Sequence, residues 1–289
     1  MRIQTILAKS ILTKSKLPDT DYVVNPYTGC SFGCTYCYAS FMGRFVNEPI
    51  QQWGQYVYVK TNAVELFNNE IQKLMKKNPT ASILLSSVTD PYHAPESKYQ
   101  LTRGILQSLV DVKYPGLVSI LTKSPAVLRD VDLLSQLKNV EIGFTLTSTD
   151  DALSRIIEKD APPASRRFKA LHELKEYGFK TYAFLGPLLP HFYHNPSLLD
   201  DFFKQVAATK VDSIFVEHLN LSTYIKNRLL NELENQPETY QAIYQKNNIL
   251  EKHPKMDELI YELIKKYGLR LRLNATIYHP EIQKNNFTK

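Results

Sequence analysis

All the cysteine in this chain falls in one stretch, Cys30-Ser-Phe-Gly-Cys34-Thr-Tyr-Cys37. Three thiolates at C-x3-C-x2-C spacing can turn around one iron–sulfur cluster, and the chain has no fourth cysteine to close its coordination. One iron is thereby left open. A closed ligand set is structural, whereas a missing ligand leaves a position for water, substrate or cofactor. Two other readings stand beside this one. The cysteines can be ordinary buried thiols, although scattered core cysteines have no reason to gather so closely. They can also belong to a zinc site, which needs a fourth ligand from elsewhere and normally uses C-x2-C pairs.

With 289 residues, 43% hydrophobic and 22% charged, the composition is that of a soluble globular protein of one α/β barrel domain or two smaller domains. No run of about 18 apolar residues is present, so no transmembrane helix is expected. The apolar stretch before Lys9 is too short for a secretory signal. A cytoplasmic protein is expected, since a reducing compartment suits three clustered thiols better than a disulfide framework does. The net charge of +6 is spread along the chain, with short clusters such as Lys76-Lys77, Arg166-Arg167 and Lys265-Lys266. Such clusters are usually solvated faces; they permit a phosphate-rich partner without requiring one.

Asn25-Pro-Tyr-Thr-Gly29 before the first cysteine and Tyr38 after the last complete a segment that resembles the cluster loop of the radical S-adenosylmethionine (SAM) superfamily. The resemblance implies that Cys30, Cys34 and Cys37 hold a [4Fe-4S] cluster. It also implies that the amino and carboxylate groups of SAM chelate the fourth iron, and that reductive cleavage of SAM yields a 5′-deoxyadenosyl radical. A reductant such as flavodoxin or ferredoxin is implied with it.

Apolar strand-like runs alternate with helix-period stretches, the pattern of repeated βα units around a parallel sheet. Strands are expected at 22–24, 82–88, 117–122, 140–146, 181–185 and 213–217. Helices are expected at 63–77, 102–112, 125 to about 137, 162–177 and 198–208, with Gly178 as a C-terminal cap. Six βα units fit an open doubly wound sheet as well as a barrel. The superfamily resemblance implies the barrel: an α/β fold with a partial (β/α)6 TIM-type barrel over 1–220. A helical C-terminal extension over 221–289 is expected to pack on the barrel or close it. Within it, 222–246 and 255–267 read as helices, and Leu269, Leu271 and Leu273 alternate with Arg270 and Arg272 as in an edge strand.

Sites in such folds gather where strands end at their carboxyl edge. Thr89-Asp90, Lys123-Ser124, Thr147-Ser148 and Glu217-His218 with Asn220 all fall there. Each alone can equally be a helix cap or, for Asp90 and Lys123, a surface ion pair. A narrower resemblance draws on Thr89-Asp-Pro-Tyr92, Leu121-Thr-Lys-Ser124, Leu128-Arg-Asp130 and Asp160-Ala-Pro-Pro163 with Arg166-Arg167. Over residues 22 to 190 the chain is similar to proteins related to spore photoproduct lyase. This implies that Asp90 contacts the SAM amino group and Lys123 its carboxylate. It places Ser148 against the methionine or ribose, and Tyr36, Tyr38, Leu185 and Gly186 around the adenine. A zwitterion does require one anion and one cation in a partly buried site.

The chain departs from photoproduct lyase at Ser86-Ser-Val-Thr-Asp90, where that enzyme has its hydrogen-donating cysteine, and only 29 residues precede Cys30. Tyr92 and Tyr99 are candidate substitutes. The same family includes queuine lyase, of similar scale, which implies cleavage of the carbon–nitrogen link in a small modified nucleobase to release 7-aminomethyl-7-deazaguanine. Such a pocket needs a carboxylate or amide for the guanine-like edge, a counter-charge for the secondary amine and polar groups for the diol. Glu217, His218 and Asn220 are the candidates, followed by Asn274 and His279. A radical enzyme acting on nucleic acid and a non-catalytic iron–sulfur electron-transfer protein are the alternative functions. His191-x-x-His194 reads as an incidental pair more readily than as a metal site, and Trp53 as a packing residue more readily than as a stacking platform.

Overall fold

The structure, a computed structural model, describes residues 1–193, 195–220, 222–234 and 254–278. Its strands in chain order are β1 (Arg2–Ile6), β2 (Leu12–Lys14), β3 (Tyr22–Val24), β4 (Tyr27–Gly29), β5 (Tyr56–Lys60), β6 (Ile83–Leu85), β7 (Val118–Thr122), β8 (Val140–Leu146), β9 (Lys180–Leu188) and β10 (Ser213–His218). The main sheet runs β10-β9-β8-β7-β6-β3-β2, with β3 to β10 parallel and β2 antiparallel at one edge. β2 and β10 lie at opposite ends, so the sheet is a partial TIM-type barrel rather than a closed one.

Each crossover returns through a helix whose apolar face lies on the sheet. In the helix Ala63–Lys77, Phe67, Ile71 and Leu74 are buried, the i, i+4, i+7 stripe that covers a strand layer. Each such side chain removed from water contributes about 1.5–3 kcal/mol. Ile83, Leu85, Ile120 and Phe144 face them from the strands. Among the described residues, no helix is long and apolar enough to cross a membrane.

Several expected elements differ. The helix expected at 125–137 is a 3-10 turn, Pro125–Asp130, followed by one α turn, Val131–Leu134. Its interruption coincides with Asp130, a fully buried carboxylate paired with Arg103 (2.7 Å) and Arg129 (2.9 Å). The strand expected at 82–88 stops at Leu85, because Ser86 turns at φ 68° into the loop that carries Asp90. The edge strand expected at 269–273 does not form. Leu271 makes a single parallel bridge to Ile214, after which Leu273 enters a left-handed conformation at φ 67°. Arg272 is drawn to Asp19 (2.6 Å) and Glu141 (2.8 Å). The helix expected at 222–246 spans Thr223–Leu233, and the remainder of that expectation lies outside the described residues. The separate sheet β1-β5-β4 was not anticipated; in it β4 delivers the chain to Cys30.

Gly143 of β8 shows how the sheet makes room inside. A Cβ there would stand 2.2 Å from the ring of Tyr182, its neighbour on β9, so only glycine lets that ring lie against the strand. Gly143→Ala is expected to lower stability by about 1–3 kcal/mol through overpacking, measured by denaturant unfolding under anaerobic conditions.

Candidate functional site

Side chains alternate across a strand, so residues two apart share a face. On the inward face this gathers Ser119, Leu121 and Lys123 from β7 and its end, Tyr182, Phe184 and Gly186 from β9, and Phe215 and Glu217 from β10. They line one cavity of about 440 Å³ that also takes in Cys30, Cys34, Cys37, Tyr36, Tyr38 and Asp90 at the carboxyl end of the strands. Asp19, Glu141 and Arg272 line it near the amino end. The Arg272 guanidinium sits 5.6 Å from the Tyr182 ring centre and 5.1 Å from that of Phe215.

The cysteine loop is held from several sides. Gly29, at φ 91°, lies so close to Tyr56 that a Cβ would meet its carbonyl at 2.4 Å. Thr89 Oγ1 donates to the Gly29 carbonyl at 2.5 Å, and Thr35 N to that of Ile157 at 2.8 Å. Burial pushes the Cys34 thiol up to about 12 against the pull of Lys123, and raises Cys30 and Cys37 as well. Buried thiols of this kind become ligands by giving their protons up to metal.

Asp90 is buried and accepts from Thr122 Oγ1 (2.7 Å), Lys123 N (2.8 Å) and Tyr92 N (2.9 Å). Desolvation still raises its pKa, so a cationic partner in the cavity would be welcome there. Burial opposes the charge of Lys123, but Cys34 and Glu158 outweigh it and raise its pKa. Its Nζ lies 5.6 Å from the ring centre of Tyr36. Tyr36 donates its hydroxyl hydrogen to Glu158, which is also paired with Arg167; both side chains of that pair are wholly buried. Arg167 donates further to the carbonyls of Pro162 (2.8 Å) and Thr145 (3.1 Å). Tyr38 Oη donates to the Ser87 carbonyl at 2.6 Å.

Not every residue named from the sequence reaches the cavity. Ser148 is buried with its Oγ accepting from Asp150 N at 2.9 Å, and does not line the cavity. Leu185 packs in the core, on the opposite face of β9 from Phe184 and Gly186. His218 alternates outward from Glu217: its Nε2 lies 2.9 Å from Asp257 and its ring stacks on Tyr278 at 4.2 Å. His218 is therefore not among the residues that line the cavity. Asn220 lines the cavity while accepting from Ser222 N at 3.0 Å. Trp53 lines it and also packs edge-on against Tyr56. Tyr92 is buried beneath Arg129 and, like Tyr99 and Asn274, lies outside the lining. His194 and His279 lie outside the described residues. Reasoning from the sequence missed Tyr182, Phe184, Phe215, Glu141, Arg272 and Glu158; the two-residue period of Tyr182-x-Phe184-x-Gly186 was the available signal.

Residues 24–201 match the radical SAM superfamily. The chain belongs to that superfamily. An uncharacterised protein of Methanocaldococcus jannaschii is 36% identical over 248 residues, covering 85% of this chain and 88% of its own length. An uncharacterised protein of Mycobacterium tuberculosis H37Rv is 30% identical, over 75% of this chain and 64% of its own. In fold, the chain is similar to spore photoproduct lyase complexed with dinucleoside spore photoproduct, with a TM-score of 0.69 and 14% identity over 93% of this chain and 81% of that one. It is also similar to Streptococcus suis SuiB bound to S-adenosylmethionine, at TM-score 0.57 and 16% identity over 89% and 50%.

As a radical SAM enzyme the protein uses a [4Fe-4S] cluster and SAM, and the residues present fit both. Three thiols line one cavity with a buried carboxylate and a half-buried ammonium, the charge pair an amino acid zwitterion requires. Removing one partner from the Glu158–Arg167 pair leaves an uncompensated buried charge, so Arg167→Met is expected to lose about 3–5 kcal/mol. Replacing both with apolar residues is expected to recover much of that loss, measured by the same unfolding titration.

Proposed function

We propose that this radical SAM enzyme is a lyase that cleaves a carbon–nitrogen bond in a small, positively charged modified nucleobase, with queuine the best fit and 7-aminomethyl-7-deazaguanine the product. One observation carries the reading. Apart from Asp90 and Lys123, the charged side chains lining the cavity are Asp19, Glu141, Glu217 and Arg272, an excess of two negative charges beside the aromatic walls of Tyr182, Phe184 and Phe215. Queuine offers a flat heteroaromatic ring, a donor-rich guanine-like edge, a protonated secondary amine and a diol. Carboxylates suit the edge and the amine, aromatic rings suit the face, and Asn220 suits the diol.

In this reading Cys30, Cys34 and Cys37 hold the cluster, Asp90 takes the SAM amino group and Lys123 its carboxylate. Tyr36, Tyr38, Gly186 and the backbone at Leu185 border the adenine, with Ser148 supporting the methionine side from behind. When bound, the cluster and SAM supply the 5′-deoxyadenosyl radical that starts the reaction. The chain's own residues orient the base and keep water away from it: the aromatic walls exclude solvent, and Glu217, next to Gly186, holds the cationic amine near the SAM side of the cavity. The C-terminal extension covers the open edge at β10, where Ile277 N donates to the Val216 carbonyl at 2.7 Å. Flavodoxin or ferredoxin supplies the electron, and the cytoplasm the reducing compartment.

The fold likeness to photoproduct lyase favours a second reading, a radical enzyme acting on nucleic acid. An acidic chamber repels phosphodiesters, which favours the free base. The test is anaerobic incubation of the reconstituted, reduced enzyme with SAM and either queuine or an ultraviolet-irradiated oligonucleotide. 5′-Deoxyadenosine and 7-aminomethyl-7-deazaguanine, both dependent on queuine, are the expected products by mass spectrometry. Turnover only with the oligonucleotide would refute the free-base reading. Glu217→Gln is expected to reduce kcat/KM for queuine by roughly tenfold or more, the worth of one charged hydrogen bond.

A further inference from the structure

Arg228 lies in the helix Thr223–Leu233, far along the chain from the cysteines, yet its guanidinium is docked on their loop. Nε donates to the Thr35 carbonyl at 2.6 Å and Nη2 to the Cys37 carbonyl at 2.9 Å; Nη2 also lies 3.4 Å from Ser40 Oγ. Nη1 is buried and has no hydrogen-bond partner among the described residues. Both accepting carbonyls belong to a cysteine ligand or its immediate neighbour. Guanidinium–carbonyl bonds alone would hold the loop, and a neutral amide could make similar ones. A half-buried positive charge docked on the cysteine loop does something further.

We propose that Arg228 is a positioning residue that raises the reduction potential of the cluster, setting how readily the enzyme accepts its electron. The step is a one-electron transfer from an external low-potential carrier protein, which is oxidised as the [4Fe-4S]²⁺ core becomes [4Fe-4S]⁺. With three thiolates attached, the cluster's formal charge becomes more negative by one, and no proton or bond changes hands. A fixed cation nearby stabilises the more negative state. In a partly desolvated site that interaction is screened less than at the surface, and net charge and hydrogen bonding around the cluster are the levers that set such potentials. The inference rests on superfamily membership and is independent of which substrate occupies the cavity.

The test is a redox titration of the reconstituted protein, without substrate, followed by the electron paramagnetic resonance signal of the reduced cluster. Arg228→Lys keeps the charge and gives up the forked hydrogen bonds; Arg228→Gln keeps an N–H donor and gives up the charge; Arg228→Met gives up both. At a fixed potential, the Gln and Met variants are expected to hold about tenfold less reduced relative to oxidised cluster than the parent, a shift of about 59 mV for one electron. The Lys variant is expected to stay close to the parent. Iron content per chain distinguishes a shifted potential from a lost cluster. An unshifted potential in a charge-neutral variant that retains its iron would overturn the proposal. So would failure of all three variants to hold a cluster, since the residue would then serve to lock the loop.

Discussion

Three thiols placed inside a protein can become thiolates only beside positive charge, and the architecture around Cys30, Cys34 and Cys37 answers that demand. Burial holds the thiols protonated, while Lys123 pulls on Cys34 and Cys37. Lys123 is in turn held charged by Cys34 and Glu158. Glu158 can sit wholly buried because Arg167 and Tyr36 both bond to it. Arg167 closes the chain by donating to two main-chain carbonyls. The cofactor loop is therefore one end of a line of alternating charges that runs into the core, and each member is tolerable only because of the next.

The sheet explains why the cavity has two characters. Alternation on β9 and β10 presents Tyr182, Phe184 and Phe215 to the interior, giving it apolar walls, while Asp90, Lys123 and Glu217 lie at strand ends, where backbone groups turn away and polar side chains can enter. Gly143 and Gly186 are the two points where a missing side chain lets an inward residue occupy space next to the strand. At the far end Arg272, from the C-terminal segment, joins Asp19 and Glu141, so the amino end of the cavity carries an ion cluster. The result is one chamber whose polarity differs from end to end.

Much of this was legible beforehand. The helix at 63–77 and the strand at 140–146 could be read to the residue, because Phe67, Ile71 and Leu74 repeat at helical spacing and β-branched or apolar residues fill the strand. Cys30, Cys34 and Cys37 were legible because local spacing alone brings them together. That Asp90, Lys123 and Glu217 line the cavity followed from the rule that polar residues gather at strand ends. His218 did not follow, because the same alternation that turns Glu217 inward turns its neighbour out to Asp257 and Tyr278. The apparent strand at Leu269, Leu271 and Leu273 failed because Arg272 is drawn inward by carboxylates more than a hundred positions away, a contact no local pattern encodes.

The sequence by itself determined the gathering of the three cysteines and the number and order of βα units, since these depend on spacing and periodicity, while the cofactor chemistry followed from the likeness of the cysteine loop to a known superfamily. Only the tertiary structure decided the partners of the buried charges and the lining of the cavity. Arg228 on the cysteine loop, Glu158 between Tyr36 and Arg167, and Arg272 between Asp19 and Glu141 join segments far apart in the chain. Long side chains reach across the interior to whichever opposite charge folding has left in range, and that range is set by packing.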